Sequence, residues 1–196
     1  MVTRLTQQNQ IQEKILDTAA QLFYEKGLQA VGVDEIVLQA GIAKMTLYKY
    51  FLSKDQLILA VVERSEEKWW NWFTTELYQR SKLPKKQLLI IFDLLFSSFQ
   101  ETNYRGEPFI NAQIRVLDTM YPIFLVSEKF ISQLKDLILD KVKLANIANP
   151  NQVAEQFILL IIGANILCNI DKEISKTAIR NAKKLASLLL KSCSLE

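Results

Sequence analysis

Scarcity of chain breakers constrains this sequence more than any other feature: 196 residues contain only 5 Gly and 4 Pro. A β-rich chain needs turn residues at short intervals, so the sequence predicts a mostly helical protein. The breakers fall between stretches of apolar periodicity. Ile11, Ile15, Leu16, Ala19, Leu22 and Phe23 recur at three- and four-residue steps, an amphipathic helix closed by Gly27. Residues 33–39 read as a two-turn helix, with Gly32 as its cap and Glu35 at the third position, where a capping box places a carboxylate. Ala40-Gly41-Ile42 is a tight turn in which Gly41 supplies a positive φ. Residues 43–51 form a third short helix, and Ser53 with Gln56 makes an S-x-x-Q box at the head of a fourth. That fourth helix meets no breaker before Pro84 and reads as a connector. Further helices are expected at 87–100, at 109–117 after Pro108, from Pro122 to about residue 145, at 151–169 and at 173–191. The fold class is therefore all-α.

Composition narrows the function. With 49% hydrophobic and 23% charged residues the chain can bury a core and is not disordered in character. A formal net charge of +3 does not by itself identify a partner. Histidine is absent, which removes the commonest general base and metal ligand. No nucleophile elbow, P-loop or dinucleotide fingerprint occurs. The chain is read as not an enzyme, with no cofactor and no metal. Cys168 and Cys193 lack metal-type spacing and are read as reduced thiols. The longest uncharged stretch, 156–170, contains Gly163, Asn165 and Asn169 and is read as too short and polar to cross a bilayer. Residues 1–10 carry one Arg and no apolar core, so the expected location is cytoplasmic, away from membranes.

Two short helices joined by a glycine-containing turn fit a helix-turn-helix, whose second helix enters the major groove of DNA. On a helical wheel Leu47 and Phe51 share one face and can pack on Ile36 and the first helix. Met45 and Lys49 point nearly opposite, flanked by Thr46 and Tyr48. A flexible apolar chain, a hydroxyl, a phenol and a cation suit thymine methyls, base edges and phosphates. Residues 1–56 hold six basic and six acidic side chains, yet the stretch from Ile36 to Lys54 has three lysines and no acid. Lys54 also stands at a helix N-terminus, where backbone N–H groups can help hold a phosphate.

The order of residues adds to this. Ala19-x-x-Leu22-Phe23, Gly27-Leu28-x-Ala30, Ile36, Ala40-Gly41-Ile42 and Thr46-Leu47-Tyr48-x-Tyr50-Phe51-x-x-Lys54 fill about 50 residues with hardly a gap. The run closely resembles the N-terminal module of the TetR (tetracycline repressor-like) family. The resemblance implies a homodimeric, ligand-responsive regulator, usually a repressor, that binds a palindromic operator in double-stranded DNA. By it, Lys44, Met45, Tyr48, Lys49, Tyr50 and Lys54 would contact DNA, with Val33 near the backbone. Three positions depart from the family pattern. Gly32 stands where Ser or Thr is usual, Ala43 replaces a Ser cap, and Met45 replaces a small residue. The corresponding division is a DNA-binding domain at 9–69, with the helix-turn-helix at about 32–51, and a helical ligand-binding and dimerisation domain at 70–196.

Beyond the module the resemblance holds only in outline. Residues 104–112, Y-R-G-E-P-F-I-N-A, are similar to an R-G-C-P-F-x-N-A run of one branch, with Glu107 in place of the cysteine, so thiol sensing is not carried over. The many aromatics read first as core, but a helical domain so rich in them can hold a largely apolar pocket for a small hydrophobic effector. Trp69, Phe73, Phe92, Phe96, Phe109 and Phe124 are the candidate lining, with Asn111 and Tyr121 as polar anchors. The segment 157–168 is apolar around most of its circumference and must be covered on nearly all sides. It reads either as a central core helix or, with the last helix, as a dimer interface through Phe157, Ile161, Ala164 and Leu167; the resemblance favours the interface. The alternative to effector control is a regulator switched by a partner protein, with a filled core.

Overall fold

The computed structural model describes residues 2–99, 122–170 and 172–193. Among them are eight helices and no strand: α1 (Val2–Lys26), α2 (Val33–Ala40), α3 (Lys44–Tyr50), α4 (Lys54–Arg80), α5 (Pro84–Phe99), α6 (Pro122–Leu144), α7 (Pro150–Ile170) and α8 (Lys172–Ser192). The all-α expectation holds. The helix expected at 109–117 lies outside the described residues.

Local chemistry sets the boundaries. Gly27 takes φ +90° and donates its N–H to the Phe23 carbonyl at 2.9 Å, closing α1. Pro84, Pro122 and Pro150 each occupy the first helical position, where a missing N–H costs nothing and the fixed φ already suits the helix. For that reason α5 starts at Pro84, three residues before the apolar periodicity begins. Ser53 Oγ accepts the Gln56 N–H at 3.1 Å, and Gln56 Oε1 accepts the Leu52 N–H at 3.0 Å, so the S-x-x-Q box caps α4 from both sides.

The chain divides into two compact units, Met1–Glu67 and Lys68–Glu196. In the first, Ile15, Ala19 and Leu22 of α1 meet Ile36 and Ala40 of α2, Leu47 of α3, and Leu57, Ile58 and Val62 of α4 in one buried core. Arg64 of α4 forks onto two carboxylates of α1, Glu13 and Asp17, at 2.8 Å each, which fixes the rotation of α4 against α1.

In the second unit α7 packs between α6 and α8, and α5 packs on α6 and α8. Val126, Phe130, Leu134, Ile138 and Val142 form the buried stripe of α6 at four-residue spacing. Phe92 of α5 meets Phe157 of α7 with ring centroids 5.9 Å apart. Lys141 is buried, donating to the Tyr78 hydroxyl at 3.0 Å and to the Asp140 carboxylate at 2.9 Å. Burial pulls its ammonium down, but these hydrogen bonds outweigh that and hold it above the ordinary lysine value. Helix α7 is 21 residues long, and its Pro150–Cys168 stretch is apolar enough by length and composition to cross a bilayer, beyond what the shorter 156–170 window indicated. Of that stretch 33% is buried within the protomer, the stripe that packs against α6 and α8.

Candidate nucleic-acid interface

The orientation of α3 follows from its inward residues. Leu47 is fully buried and Phe51 nearly so, which turns the opposite face outward. There Met45 is 80% exposed, with Tyr48 and Lys49 exposed beside it and Thr46 and Tyr50 at the margins. The turn before α3 is closed by Gly41 at φ +61°, whose N–H donates to the Leu38 carbonyl at 3.2 Å while Ile42 donates to that of Val37 at 3.1 Å. The structure thus brings Lys44, Met45, Tyr48 and Lys49 of α3 to one exposed surface, with Thr46 and Tyr50 at its edge. Val33 stands half-buried at the head of α2.

Electrostatics at this surface depart from the sequence reading. Lys44 Nζ lies 2.7 Å from Asp34 Oδ1. The hydrogen bond and charge of Asp34 hold the Lys44 ammonium above its ordinary range. Lys54 donates to the Gln29 carbonyl at 3.3 Å. Glu35 does not close a capping box, because Gly32 offers no side chain; it pairs with Lys26 of α1 instead. Ala43 likewise gives α3 no side-chain cap. Asp34 lies two residues upstream of the acid-free stretch from Ile36 to Lys54, and the fold brings its carboxylate onto the first lysine of that stretch. The available signal was the short turn, which must bring the first turn of α2 near the first residue of α3.

In the second unit, Trp69, Phe73 and Phe92 are buried side chains of the core. Trp69 stacks on Phe73 at 4.6 Å between centroids, and the edge of Phe130 approaches Trp69 at 5.1 Å. Phe124 is half-buried. Phe109, Asn111, Tyr121 and the side chain of Phe96 lie outside the described residues.

On α7, Phe157, Ile161 and Ala164 are buried within the protomer, so they face its own core, while Leu167 is exposed. More exposed than Leu167 is Leu159, 70% exposed and about 200° round the helix from Phe157. On α8, Leu185 and Leu188 are also exposed. Burial pushes the Cys168 thiol up to about 11, which suppresses its thiolate.

Comparison with known proteins places this geometry. The family model for bacterial regulatory proteins of the tetR family matches residues 15–61, from α1 into α4. The HTH-type transcriptional activator FasR of Mycolicibacterium smegmatis is 32% identical over 114 residues, 53% of this chain and 51% of FasR. The HTH-type transcriptional regulator QacR of Staphylococcus aureus is 27% identical over 132 residues, 58% of this chain and 69% of QacR. The chain spans about half the length of FasR and of a similar regulator from Lactococcus lactis. Among solved structures, a TetR-family transcriptional regulator from Streptomyces coelicolor superposes with a TM-score of 0.80 at 21% identity, covering 95% of this chain and 97% of that one. The reduced form of Escherichia coli NemR superposes with a TM-score of 0.75 at 21% identity, covering 89% and 96%. These structural likenesses establish the fold.

Proposed function

We propose that the chain, whose residues 15–61 match the family model for bacterial regulatory proteins of the tetR family, is a sequence-specific, homodimeric DNA-binding repressor released from its operator by a small, mostly apolar ligand. One observation carries the DNA-binding part. Leu47 and Phe51 anchor α3 inward, so Met45, Tyr48 and Lys49 stand outward together at the end of a glycine turn. That is the presentation a major-groove helix requires. In this reading Lys44, Lys49 and Lys54 meet phosphates, Met45 and Tyr48 meet base edges, and Thr46, Tyr50 and Val33 fix the docking. The exposed leucines of α7 and α8 support pairing of two copies through those helices. Two recognition helices related by a two-fold axis then read a palindrome.

Selection of bound duplexes from a random pool by the full chain tests the proposal. Enrichment of sites with two-fold symmetry supports it, and recovery of asymmetric or unrelated sequences refutes it. Transcription from a promoter carrying the enriched site decides the direction, since FasR is by name an activator.

Effector control is proposed for the aromatic second unit, with α4 as the coupling element: its first turn carries Lys54 and its later turns carry Trp69 and Phe73. A coupling of about 1–3 kcal/mol changes DNA affinity 5- to 150-fold, and operator DNA must weaken ligand binding by the same factor. The dense packing of Trp69, Phe73 and Phe92 favours a second reading, control by a partner protein on a filled core. Tryptophan fluorescence during a screen of hydrophobic compounds, followed by DNA release for each hit, separates the two.

A further inference from the structure

We infer that Asp34 is a specificity-determining residue, which lowers affinity for DNA of arbitrary sequence by holding Lys44 in an ion pair on the surface that meets the duplex. The inference rests on the proposed reading of α3 as the helix presented to DNA.

Asp34 is the second residue of α2 and Lys44 the first of α3, and the Gly41 turn brings their charged ends to 2.7 Å. Neither packing nor burial demands this contact, for the Asp34 side chain is 81% exposed and that of Lys44 51%. The pair sits where a helix-turn-helix does its reading, because the N-terminal residues of the second helix lie nearest the bases and the flanking phosphates. A carboxylate there acts in two ways. It repels phosphates, and it occupies the ammonium that would otherwise displace a counterion from DNA.

Few cations offset this loss. Only three lysines lie between Ile36 and Lys54, and Lys54 already donates to the Gln29 carbonyl. Non-specific binding is almost wholly electrostatic, so withdrawing one lysine per protomer weakens it most. Specific binding draws also on contacts to base edges and is weakened less. Asp34 is thus a repulsive element directed against the wrong partner. A purely structural role, an acid favouring the first turn of α2, would leave counterion release unchanged.

The test measures binding of the full chain to a labelled random-sequence duplex and to the duplex it enriches from a random pool, between roughly 50 and 200 mM salt. Asp34→Asn should bind the random duplex about 2- to 30-fold tighter as a dimer. Its salt slope should steepen by about 0.9 per protomer, with a smaller gain on the enriched duplex. Asp34→Glu should behave as the parent. Adding Lys44→Gln to Asp34→Asn provides an independent arm: if the lysine freed from Asp34 is what steepens the slope on random DNA, the double variant should lose that added slope. An unchanged slope in Asp34→Asn, equal gains on both duplexes, or a double variant whose slope stays as steep as that of Asp34→Asn would overturn the inference while leaving DNA recognition by α3 intact. Failure of the parent chain to bind either duplex would overturn the DNA reading and this inference with it.

Discussion

Replacing Leu159 by glutamate should separate two copies of the chain without unfolding either. Leu159 is 70% exposed in the protomer, so a charge there meets water rather than the core. Covering a leucine completely is worth about 1.5–3 kcal/mol, so covering the exposed part of this one contributes about 1–2 kcal/mol per copy. Two copies lose about 2–4 kcal/mol, a 30- to 1,000-fold weaker dimer, before the cost of desolvating two carboxylates is counted. Ile161→Glu is the contrast, because Ile161 is 3% exposed and a charge would enter the protomer core. Sedimentation across a concentration series, paired with thermal melts by circular dichroism, reads both properties. The expected pattern is a folded monomer for Leu159→Glu and loss of folding for Ile161→Glu. A Leu159→Glu chain that remains dimeric at the parent's dissociation constant would refute pairing through this side of α7.

Gly41→Ala should destabilise the chain by about 0.5–1 kcal/mol in urea titrations. A new Cβ would find only Lys14 Nζ, at 3.9 Å, so the left-handed backbone sets the cost, about 1–2 kcal/mol, partly offset by a less flexible unfolded chain; a stabilised variant would contradict this. Cys168 should alkylate slowly, because with its thiol pushed up to about 11 only about one molecule in a thousand is thiolate at pH 8. Peptide mass spectrometry should show its labelling rise steeply as pH approaches 11, and rapid labelling at pH 8 would count against its burial.

What the sequence made legible was mostly local. Breakers and caps work over a few residues, so Gly27, Gly41, the Ser53–Gln56 box and the prolines at the heads of α6 and α7 could be read directly, whereas α5 begins at Pro84 ahead of its apolar periodicity. The inward face of α3 was legible too, because Leu47 and Phe51, the residue just past its end, lie one helical turn apart on a face that can meet Ile36. Helix α7 was harder. A helix apolar all round carries no periodicity to say which side turns inward, and Phe157, Ile161 and Ala164 proved to face their own protomer while Leu159 stays open. Ion pairs between elements were not legible for a related reason. Asp34 with Lys44 and Arg64 with Glu13 depend on how helices are placed, and a window scanned along the chain does not see across a turn or between α1 and α4. Base contacts and effector lining depend on molecules other than this chain, which no pattern within its own residues describes.

If α3 reads DNA through its outward face, the sites enriched by the parent chain and by Met45→Ala should differ. Met45 is 80% exposed and packs into no core, so the variant keeps the fold. Loss of one base contact changes preference by about 1–3 kcal/mol at the positions it reads. The parent should enrich a palindromic site, and Met45→Ala a site changed only at symmetry-related positions of both half-sites. An identical site for both proteins, or no enriched site for the parent, would contradict recognition through α3.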